Sequence, residues 1–336
     1  MKAVAYLQAL PITNPDALQD VALPAPVPGA RDLLVRVKAI SVNPVDTKVR
    51  ANTAPAPGQS KVLGWDAVGV VEAVGNAVTQ FQAGDRVYYA GSITRPGANS
   101  ELHLVDERIA AKAPTTLTDA QAAALPLTTI TAYELLFDRL KVPQGGGAGQ
   151  TLLVIGGAGG VGSILIQLAR QLTQLKVIAT ASRPETRQWC LDLGAHAVID
   201  HARPLAAELK GGAFGPVDWV ASLTQTPQHY AQIIEALKPQ GAMAVIDDMQ
   251  GLDLMQLKGK SIALHWEMMF TRSMFETPDM GEQGRLLAEV AALVDAGRIR
   301  TTVNANFGTI NAANLRRAHA LIESGKAQGK LVLEGF

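Results

Sequence analysis

The sequence is poor in cysteine and has no excess of either charge, and these shortages exclude several classes of protein. Cys190 is the only cysteine among 336 residues, so the chain forms no internal disulfide and holds no cysteine-based zinc site. Lysine plus arginine and aspartate plus glutamate both number 30. Because no basic run stands out, we expect neither nucleic acid nor an anionic membrane surface to be the main partner.

Long apolar runs are also missing. No stretch reaches about 18 apolar residues, the length that a membrane-spanning helix needs. The first residues, MKAVAYLQALPITNPD, predict a strand followed by a turn and lack the long apolar segment of a signal peptide. Together with the single cysteine, these features predict a cytoplasmic protein without a membrane span.

One short segment carries a strong functional signal. Residues 151–172, TLLVIGGAGGVGSILIQLARQL, begin as an apolar run, place five glycines within seven residues and continue with apolar residues at helical spacing. Between a buried strand and a helix, G-x-G-x-x-G permits a tight turn and a close approach of the backbone to a pyrophosphate. A flexible glycine loop is the alternative. The predicted cofactor-binding residues of this turn are Gly157, Ala158, Gly159, Gly160, Val161 and Gly162.

The rest of the chain predicts an α/β fold with two domains. From residue 151 to about 266, strands alternate with helices, which is the βαβ pattern of a doubly wound parallel sheet. Residues 1–110 contain short β-rich runs separated by proline and glycine. We expect residues 127–271 to form a Rossmann dinucleotide-binding domain. The mostly β domain comprises residues 1–126 and is completed by 272–336, because that tail is too short to fold alone.

The end of the second strand of the alternating region bears on the choice of cofactor. NAD-binding folds usually place an acid there for the ribose hydroxyls, whereas this chain has Ala181, followed by Ser182 and Arg183. A missing acid removes repulsion against a 2′-phosphate, and serine and arginine supply donors for one. We therefore predict NADP(H), with capping of the next helix as the alternative role of Ser182 and Arg183.

Several motifs occur in a specific order, and the chain resembles the medium-chain dehydrogenase/reductase superfamily through them. Within that superfamily it is most similar to the zinc-free quinone-oxidoreductase-like branch, and HWEMMFTRSMFETPDM resembles a subgroup labelled zinc-type alcohol dehydrogenase-like. The resemblance implies a GroES-like fold for the mostly β domain. The motifs are SVNPVDTKVR (41–50), LGWDAVGVVEAVG (63–75), FQAGDRVY (81–88), LPLTTITAYELL (125–136), GGAGGVGS (156–163) and GKLVLEGF (329–336).

The residues at the zinc-ligand positions of this superfamily argue against a metal. Zinc members have a cysteine where this chain has Asn43, and a histidine where it has Trp65. The cysteine-rich lobe that holds their structural zinc is absent from the sequence after FQAGDRVY. Because zinc prefers cysteine and histidine ligands, we predict no metal.

The resemblance also implies roles for five residues. Asn43 matches an asparagine beside the nicotinamide and the substrate carbonyl, and its alternative role is that of an Asn-Pro turn residue. Thr131 matches a threonine against the nicotinamide ring, or else a hydroxyl at a helix start. Ser222 and Ile246 match positions that line the cofactor. His201 matches a position, often tyrosine, that contacts the adenosine-side phosphate, with a solvated loop histidine as the alternative.

The predicted function is the NADPH-dependent, metal-free reduction of a small electrophile, a quinone or an α,β-unsaturated carbonyl. Without zinc, the developing oxyanion needs hydrogen-bond donors, and Asn43, Lys48 and a cofactor ribose hydroxyl are the candidates. Quinone reductases often have tyrosine where this chain has Lys48, and glycine where it has Asp247. These departures leave open a non-catalytic NADPH-binding protein. A zinc-dependent alcohol dehydrogenase is a further alternative.

The sixth strand of the alternating region, SIALHW, predicts a homodimer. An apolar strand at the edge of a sheet tends to aggregate unless it is paired or covered, and relatives in this superfamily pair that edge across a two-fold axis. We expect Ile262, Leu264 and Trp266 at the interface. Alternatively, the following segment EMMFTRSMF covers the edge within one chain.

Overall fold

The computed structural model describes all 336 residues, and the chain divides into two compact units. The first unit comprises Met1–Ile130 and Phe270–Phe336, and the second comprises Thr131–Met269. The C-terminal tail therefore groups with the N-terminal segment. No helix combines the length and the apolar character required to cross a membrane.

The sixteen strands are named in chain order. They are β1 (Lys2–Tyr6), β2 (Gln19–Ala22), β3 (Asp32–Val42), β4 (Lys61–Val62), β5 (Ala67–Val74), β6 (Arg86–Tyr89), β7 (Leu102–Asp106), β8 (Ala110–Lys112), β9 (Thr151–Ile155), β10 (Lys176–Thr180), β11 (Ala197–Ile199), β12 (Val217–Ser222), β13 (Leu237–Val245), β14 (Ala263–Trp266), β15 (Val303–Asn306) and β16 (Lys330–Glu334).

Eleven α-helices are named in the same way. They are α1 (Pro44–Asn52), α2 (Asp119–Ala123), α3 (Pro126–Tyr133), α4 (Gly160–Leu172), α5 (Pro184–Asp192), α6 (Leu205–Gly211), α7 (Thr226–Ala236), α8 (Met255–Lys258), α9 (Thr271–Met274), α10 (Glu282–Asp295) and α11 (Ala312–Glu323). A π-helix, Glu134–Arg139, follows α3, and short 3₁₀ helices cover Pro15–Ala17 and Glu107–Ile109.

The second unit is a doubly wound sheet. Its six parallel strands lie in the order β11-β10-β9-β12-β13-β14. All five residues of β9 are buried, as expected for a parallel strand covered on both faces. The strand order reverses between β9 and β12, and ligands of such folds bind at the carboxyl ends of the strands beside that point. The predicted α/β fold is confirmed.

The first unit is built around a mostly antiparallel sheet. Its path is β15-β16-β3-β5-β6-β8, with β7 also paired to β3, and a separate three-stranded sheet has the order β2-β1-β4. The long strand β3 is central and pairs with β16 on one side and β5 on the other. For residues 1–110 the sequence predicted only strands, and it missed α1, which follows β3 directly.

Candidate functional site

The glycine turn lies at the carboxyl end of β9, where the predicted cofactor site requires it. Gly159 precedes the first residue of α4, and Ser163 N–H makes the first helical hydrogen bond, to Gly159 O at 2.9 Å. The amides of residues 160–162 therefore lie before the first intrahelical bond and form the positive end of the helix dipole. Such a helix start binds an anion such as a pyrophosphate.

The glycines of this turn differ in the space around them. A Cβ on Gly157 would lie 2.7 Å from the Ala179 Cβ, and one on Gly162 would lie 2.5 Å from Gly156 O. A Cβ on Gly159 would meet only Gly156 O, at 3.4 Å. Packing within the protein thus leaves no room for a side chain at Gly157 or Gly162, whereas the backbone at Gly159 is open to a ligand. This cradle fits the pyrophosphate of a dinucleotide.

Three further predicted cofactor residues lie along the same edge of the sheet. Ser222 ends β12, is fully buried, and its Oγ shares a 2.8 Å hydrogen bond with Thr226 Oγ1. Ile246 follows β13 and donates its N–H to Ser222 O at 3.4 Å. His201 follows β11, and its ring centroid is 6.1 Å from that of His229. Because the strands are parallel, their carboxyl ends bring these residues to one edge.

Thr131 is a predicted cofactor residue, whereas Asp247 was noted only as a departure from the quinone reductases. Thr131 is buried in α3. Asp247 accepts the Thr226 N–H at 2.8 Å, so its carboxylate satisfies a donor at the first residue of α7. That capping role gives Asp247 a structural function, since the N-terminus of a helix favours a negative charge.

The end of β10 has the polar character that the sequence predicted. Ala181 is buried, whereas Ser182 is exposed. The Arg183 side chain is 42% exposed and its Nε lies 3.2 Å from Glu185 Oε1. Arg187, which the sequence did not single out, donates to Ala181 O at 3.2 Å and anchors this loop.

A buried polar cluster surrounds Asn43 at one end of the sheet in the first unit. The register pairs Leu331 with Val42, and continuing that ladder by one residue brings Lys330 opposite Asn43. The Ser41 N–H donates to Asp66 O at 3.2 Å. Neighbouring strands therefore bring together three polar segments that are far apart in the sequence.

Asp66 is the centre of this cluster and receives four donors. Its Oδ2 accepts from Ser41 Oγ, Asn43 Nδ2 and Lys330 Nζ, each at 2.8 Å, and its Oδ1 accepts the Leu127 N–H at 2.7 Å. A carboxylate offers about four lone-pair sites, so the acceptor capacity of Asp66 is filled. Its side chain is fully buried.

The hydrogen-bond donors of the Lys330 ammonium are also fully used. Its side chain is 3% exposed, and Nζ donates to three acceptors, namely Asp66 Oδ2, Asn43 Oδ1 and, at 3.3 Å, Val42 O. An ammonium group has three donors. Neither Lys330 nor Asp66 was predicted from the sequence, although both lie within motifs that carried the family resemblance.

Asp46 fixes the backbone beside the cluster. Its carboxylate accepts the Asn43 N–H at 2.7 Å and the Gly64 N–H at 3.0 Å. Burial raises the pKa of Asp46 to about 7, although these donors and the Lys330 charge act in the opposite direction. Asp46 thereby holds the start of α1 and the backbone position of Asn43.

The two predicted catalytic residues have different environments. Asn43 is 1% exposed and belongs to the buried cluster, whereas Lys48 is exposed on α1. A carboxamide that the fold clamps needs less ordering in each catalytic cycle than a long side chain at the surface. The fold therefore holds Asn43, and not Lys48, within the buried cluster.

The residues at the zinc-ligand positions do not fit zinc. Trp65 is buried and its indole N–H donates to Ser92 O at 3.2 Å, so it presents no lone pair to a metal. The Asn43 carboxamide oxygen already accepts from Lys330, whose positive charge opposes a second cation at this place. Zinc prefers thiolate and imidazole ligands, and this cluster contains neither.

A second buried acidic group lies in the other unit and was not predicted. Glu134, in the π-helix, and Glu267, just after β14, have fully buried side chains. Arg139 Nε donates to Glu267 Oε2 at 2.8 Å, and Arg139 Nη2 is 3.8 Å from Glu134 Oε2. Burial and the neighbouring Glu134 charge raise the pKa of Glu267 to about 9. The pair therefore holds a proton at neutral pH.

Two segments of the chain match known protein families. The family described as "Alcohol dehydrogenase GroES-like domain" matches residues 29–115, and the family described as "Zinc-binding dehydrogenase" matches residues 193–333. A zinc-type alcohol dehydrogenase-like protein from Staphylococcus epidermidis is 38% identical over 338 residues, which cover 99% of each chain.

Solved structures of dehydrogenases and quinone oxidoreductases are also similar to the whole chain. A protein from Rhizobium etli CFN 42, described as a zinc-dependent alcohol dehydrogenase, is 57% identical, with a TM-score of 0.96, and the match covers 100% of this chain and 98% of that one. Escherichia coli quinone oxidoreductase complexed with NADPH is 28% identical, with a TM-score of 0.84 and coverage of 99% and 100%.

Proposed function

Because the chain belongs to the medium-chain dehydrogenase/reductase superfamily, we propose that it is an NADPH-dependent reductase that works without a metal. Its substrate is a quinone or an α,β-unsaturated carbonyl compound. The observation that carries this proposal is the combination of a dinucleotide cradle at residues 157–162 with a buried cluster whose hydrogen-bond donors replace the zinc ligands.

The end of β10 supports NADPH rather than NADH. The three residues that follow β10 include no acid, since Ala181 is followed by Ser182 and Arg183. Arg183 is partly exposed, and its Nε lies 3.2 Å from Glu185 Oε1. A guanidinium and a hydroxyl are suitable donors for a phosphate. The NADPH complex of the structurally similar quinone oxidoreductase supports the same choice.

The available hydrogen-bond donor suits a substrate with a conjugated carbonyl group. The bound nicotinamide supplies a hydride, and a proton from water completes the reduction. Quinones and enones share a conjugated carbonyl whose oxygen gains negative charge as the hydride arrives at carbon. Asn43 retains one Nδ2–H beyond its bond to Asp66, and we assign that N–H to this oxygen. One such donor is worth about 3 kcal/mol of activation free energy.

We propose a homodimer for the assembled enzyme. Within the chain, β14 pairs only with β13 and lies at an edge of the sheet. Trp266 is 55% exposed on it, whereas Ile262 and Leu264 belong to, or pack against, the core of their own unit. We therefore assign the contact to the open edge of β14 and to Trp266, with Ile262 and Leu264 supporting the strand from behind.

Turnover of NADPH with a panel of electrophiles tests the function. The purified protein should oxidise NADPH when benzoquinone or cyclohexenone is added, with much slower oxidation of NADH. Asn43→Ala should lower kcat about 100-fold and leave the Kd for NADPH within about twofold of wild type. Tight NADPH binding without turnover of any electrophile would instead favour a non-catalytic NADPH-binding protein.

A further inference from the structure

The buried cluster determines how the Asn43 carboxamide is oriented. Its oxygen faces the Lys330 ammonium, and its nitrogen donates to the Asp66 carboxylate at 2.8 Å. A rotated amide would direct its NH₂ group at the ammonium and its oxygen at the carboxylate, and both contacts would be repulsive. The two charges therefore select a single orientation, in which one Nδ2–H is left for another acceptor.

The Lys330 and Asp66 charges both have a full set of hydrogen-bond partners. Lys330 Nζ has three acceptors, and Asp66 has four donors. A buried ion pair contributes little to stability compared with well-packed apolar side chains, because both charges must be desolvated. Packing alone thus gives no reason for a lysine and an aspartate here, whereas orientation of Asn43 does.

We propose that Lys330 and Asp66 are positioning residues, and that the Lys330 ammonium supplies the fixed positive charge that a zinc ion supplies in metal-dependent relatives. The ammonium acts through the Asn43 oxygen, so that the remaining Asn43 N–H is a fixed and polarised donor to the substrate oxygen. The catalytic part of this inference rests on the proposed reductase function, but the orientation of Asn43 does not.

The side-chain amide of Asn43 tests the orientation directly and without turnover. In ¹⁵N-labelled protein, its NH₂ signal can be assigned by its loss in Asn43→Ser. We expect slow exchange with solvent in the wild type and in Lys112→Met, a control at an exposed lysine that also has an acidic partner. In Lys330→Met the exchange should be at least tenfold faster. An Asn43 signal unchanged in Lys330→Met would overturn the proposal.

Because Lys330→Met leaves the buried Asp66 charge unpaired, the same measurement is made on Lys330→Met/Asp66→Asn, which removes both charges. Thermal unfolding and NADPH binding show that each variant is folded. We expect faster exchange of the Asn43 amide in the double variant too. Retained protection in this folded double variant would show that the charges do not orient Asn43, and would equally overturn the proposal.

A double-mutant cycle tests the catalytic consequence. Lys330→Met should lower kcat about 10- to 100-fold while the KM for NADPH stays within about twofold of wild type. In an Asn43→Ala background the same substitution should change kcat by less than about twofold, because Lys330 then has no amide to orient. Independent, multiplicative losses would show that Lys330 does not act through Asn43. If the wild type reduces no electrophile, the proposed function fails, and the amide exchange still decides the positioning role.

Discussion

Gly162 faces the carbonyl oxygen of Gly156 so closely that a Cβ on it would lie 2.5 Å from that oxygen. The contact is between two backbone segments of the same turn, so no side chain can move aside to relieve it. We expect Gly162→Ala to lower the free energy of unfolding by about 3 kcal/mol and to disturb NADPH binding as a consequence. Chemical denaturation measures the first effect.

Gly159→Ala should weaken NADPH binding while changing the free energy of unfolding only slightly. Its Cβ would meet only one atom within the protein, at 3.4 Å, so the loss of stability should be less than about 1 kcal/mol. The methyl group would occupy the space that we assign to the pyrophosphate, and NADPH binding should weaken at least tenfold, or about 1.4 kcal/mol. Gly211→Ala, which would meet nothing within 4 Å, is the control. Equal NADPH affinity in Gly159→Ala and wild type would show that the cofactor does not approach this residue.

Arg183 should determine the preference between the two nicotinamide cofactors. We expect NADPH to bind at least about tenfold more tightly than NADH, which corresponds to about 1.4 kcal/mol. Arg183→Ala should reduce this ratio by weakening NADPH alone, as measured by calorimetry. Glu185→Gln removes the acid that lies 3.2 Å from Arg183 and should increase the ratio. A wild-type protein that binds both cofactors equally would contradict this prediction.

Metal analysis should find far less than one zinc ion per chain. Asn43 and Trp65 stand at the zinc-ligand positions, and the adjacent Lys330 ammonium repels a cation. Purified protein incubated with zinc and then desalted should remain free of stoichiometric metal, and a chelator should leave kcat unchanged. Stoichiometric zinc whose removal abolishes activity would show that the ligands lie elsewhere in the chain.

Much of the second unit could be predicted because its signals are local. The apolar run that opens residues 151–172 is the strand β9, since a short apolar run before turn residues is typical of a parallel strand buried on both faces. The motifs also identified the superfamily, which the comparisons confirm. The helix α1 was missed among β-rich neighbours, although Asn43-Pro44 with Asp46 is a recognisable helix start.

The polar cluster could not be predicted in the same way. Lys330 and Asp66 are separated by 264 residues, and only the register of β16, β3 and β5 brings them together. No periodicity in the sequence indicates which strands will be neighbours in an antiparallel sheet. The Glu134–Glu267 pair, separated by 133 residues, was missed for the same reason, because one partner lies in a π-helix and the other after an edge strand.

The pH dependence of the free energy of unfolding should reveal the proton held by the Glu134–Glu267 pair. The pKa of Glu267 is raised from 4.5 to about 9 in the folded protein. Its contribution to stability is therefore complete below about pH 4.5 and is lost as the pH rises toward 9, by at most about 1.4 kcal/mol per pH unit. Glu267→Gln imitates the protonated side chain and should weaken that decline.

Thermal unfolding of wild type and Glu267→Gln between pH 5 and pH 9 measures this effect. The difference between their stabilities should change in favour of the variant as the pH rises, whereas other titrating groups contribute equally to both proteins. Glu289→Gln, at a partly exposed acid paired with Arg285, is the control and should follow wild type throughout. Parallel curves for wild type and Glu267→Gln would contradict a shared proton at this pair.

The edge strand β14 should hold two copies of the chain together. At micromolar protein concentration, light scattering should give about twice the chain mass of 35.4 kDa. An unpaired edge strand tends to associate with another strand, and two-fold symmetric contacts are the commonest in homo-oligomers. Trp266→Lys should produce a monomer, since each interface would bury two unpaired charges. Met255→Lys, at another exposed apolar residue of the same unit, should remain dimeric. A wild-type monomer would contradict the dimer itself, and a dimer that survives Trp266→Lys would place the interface at another surface.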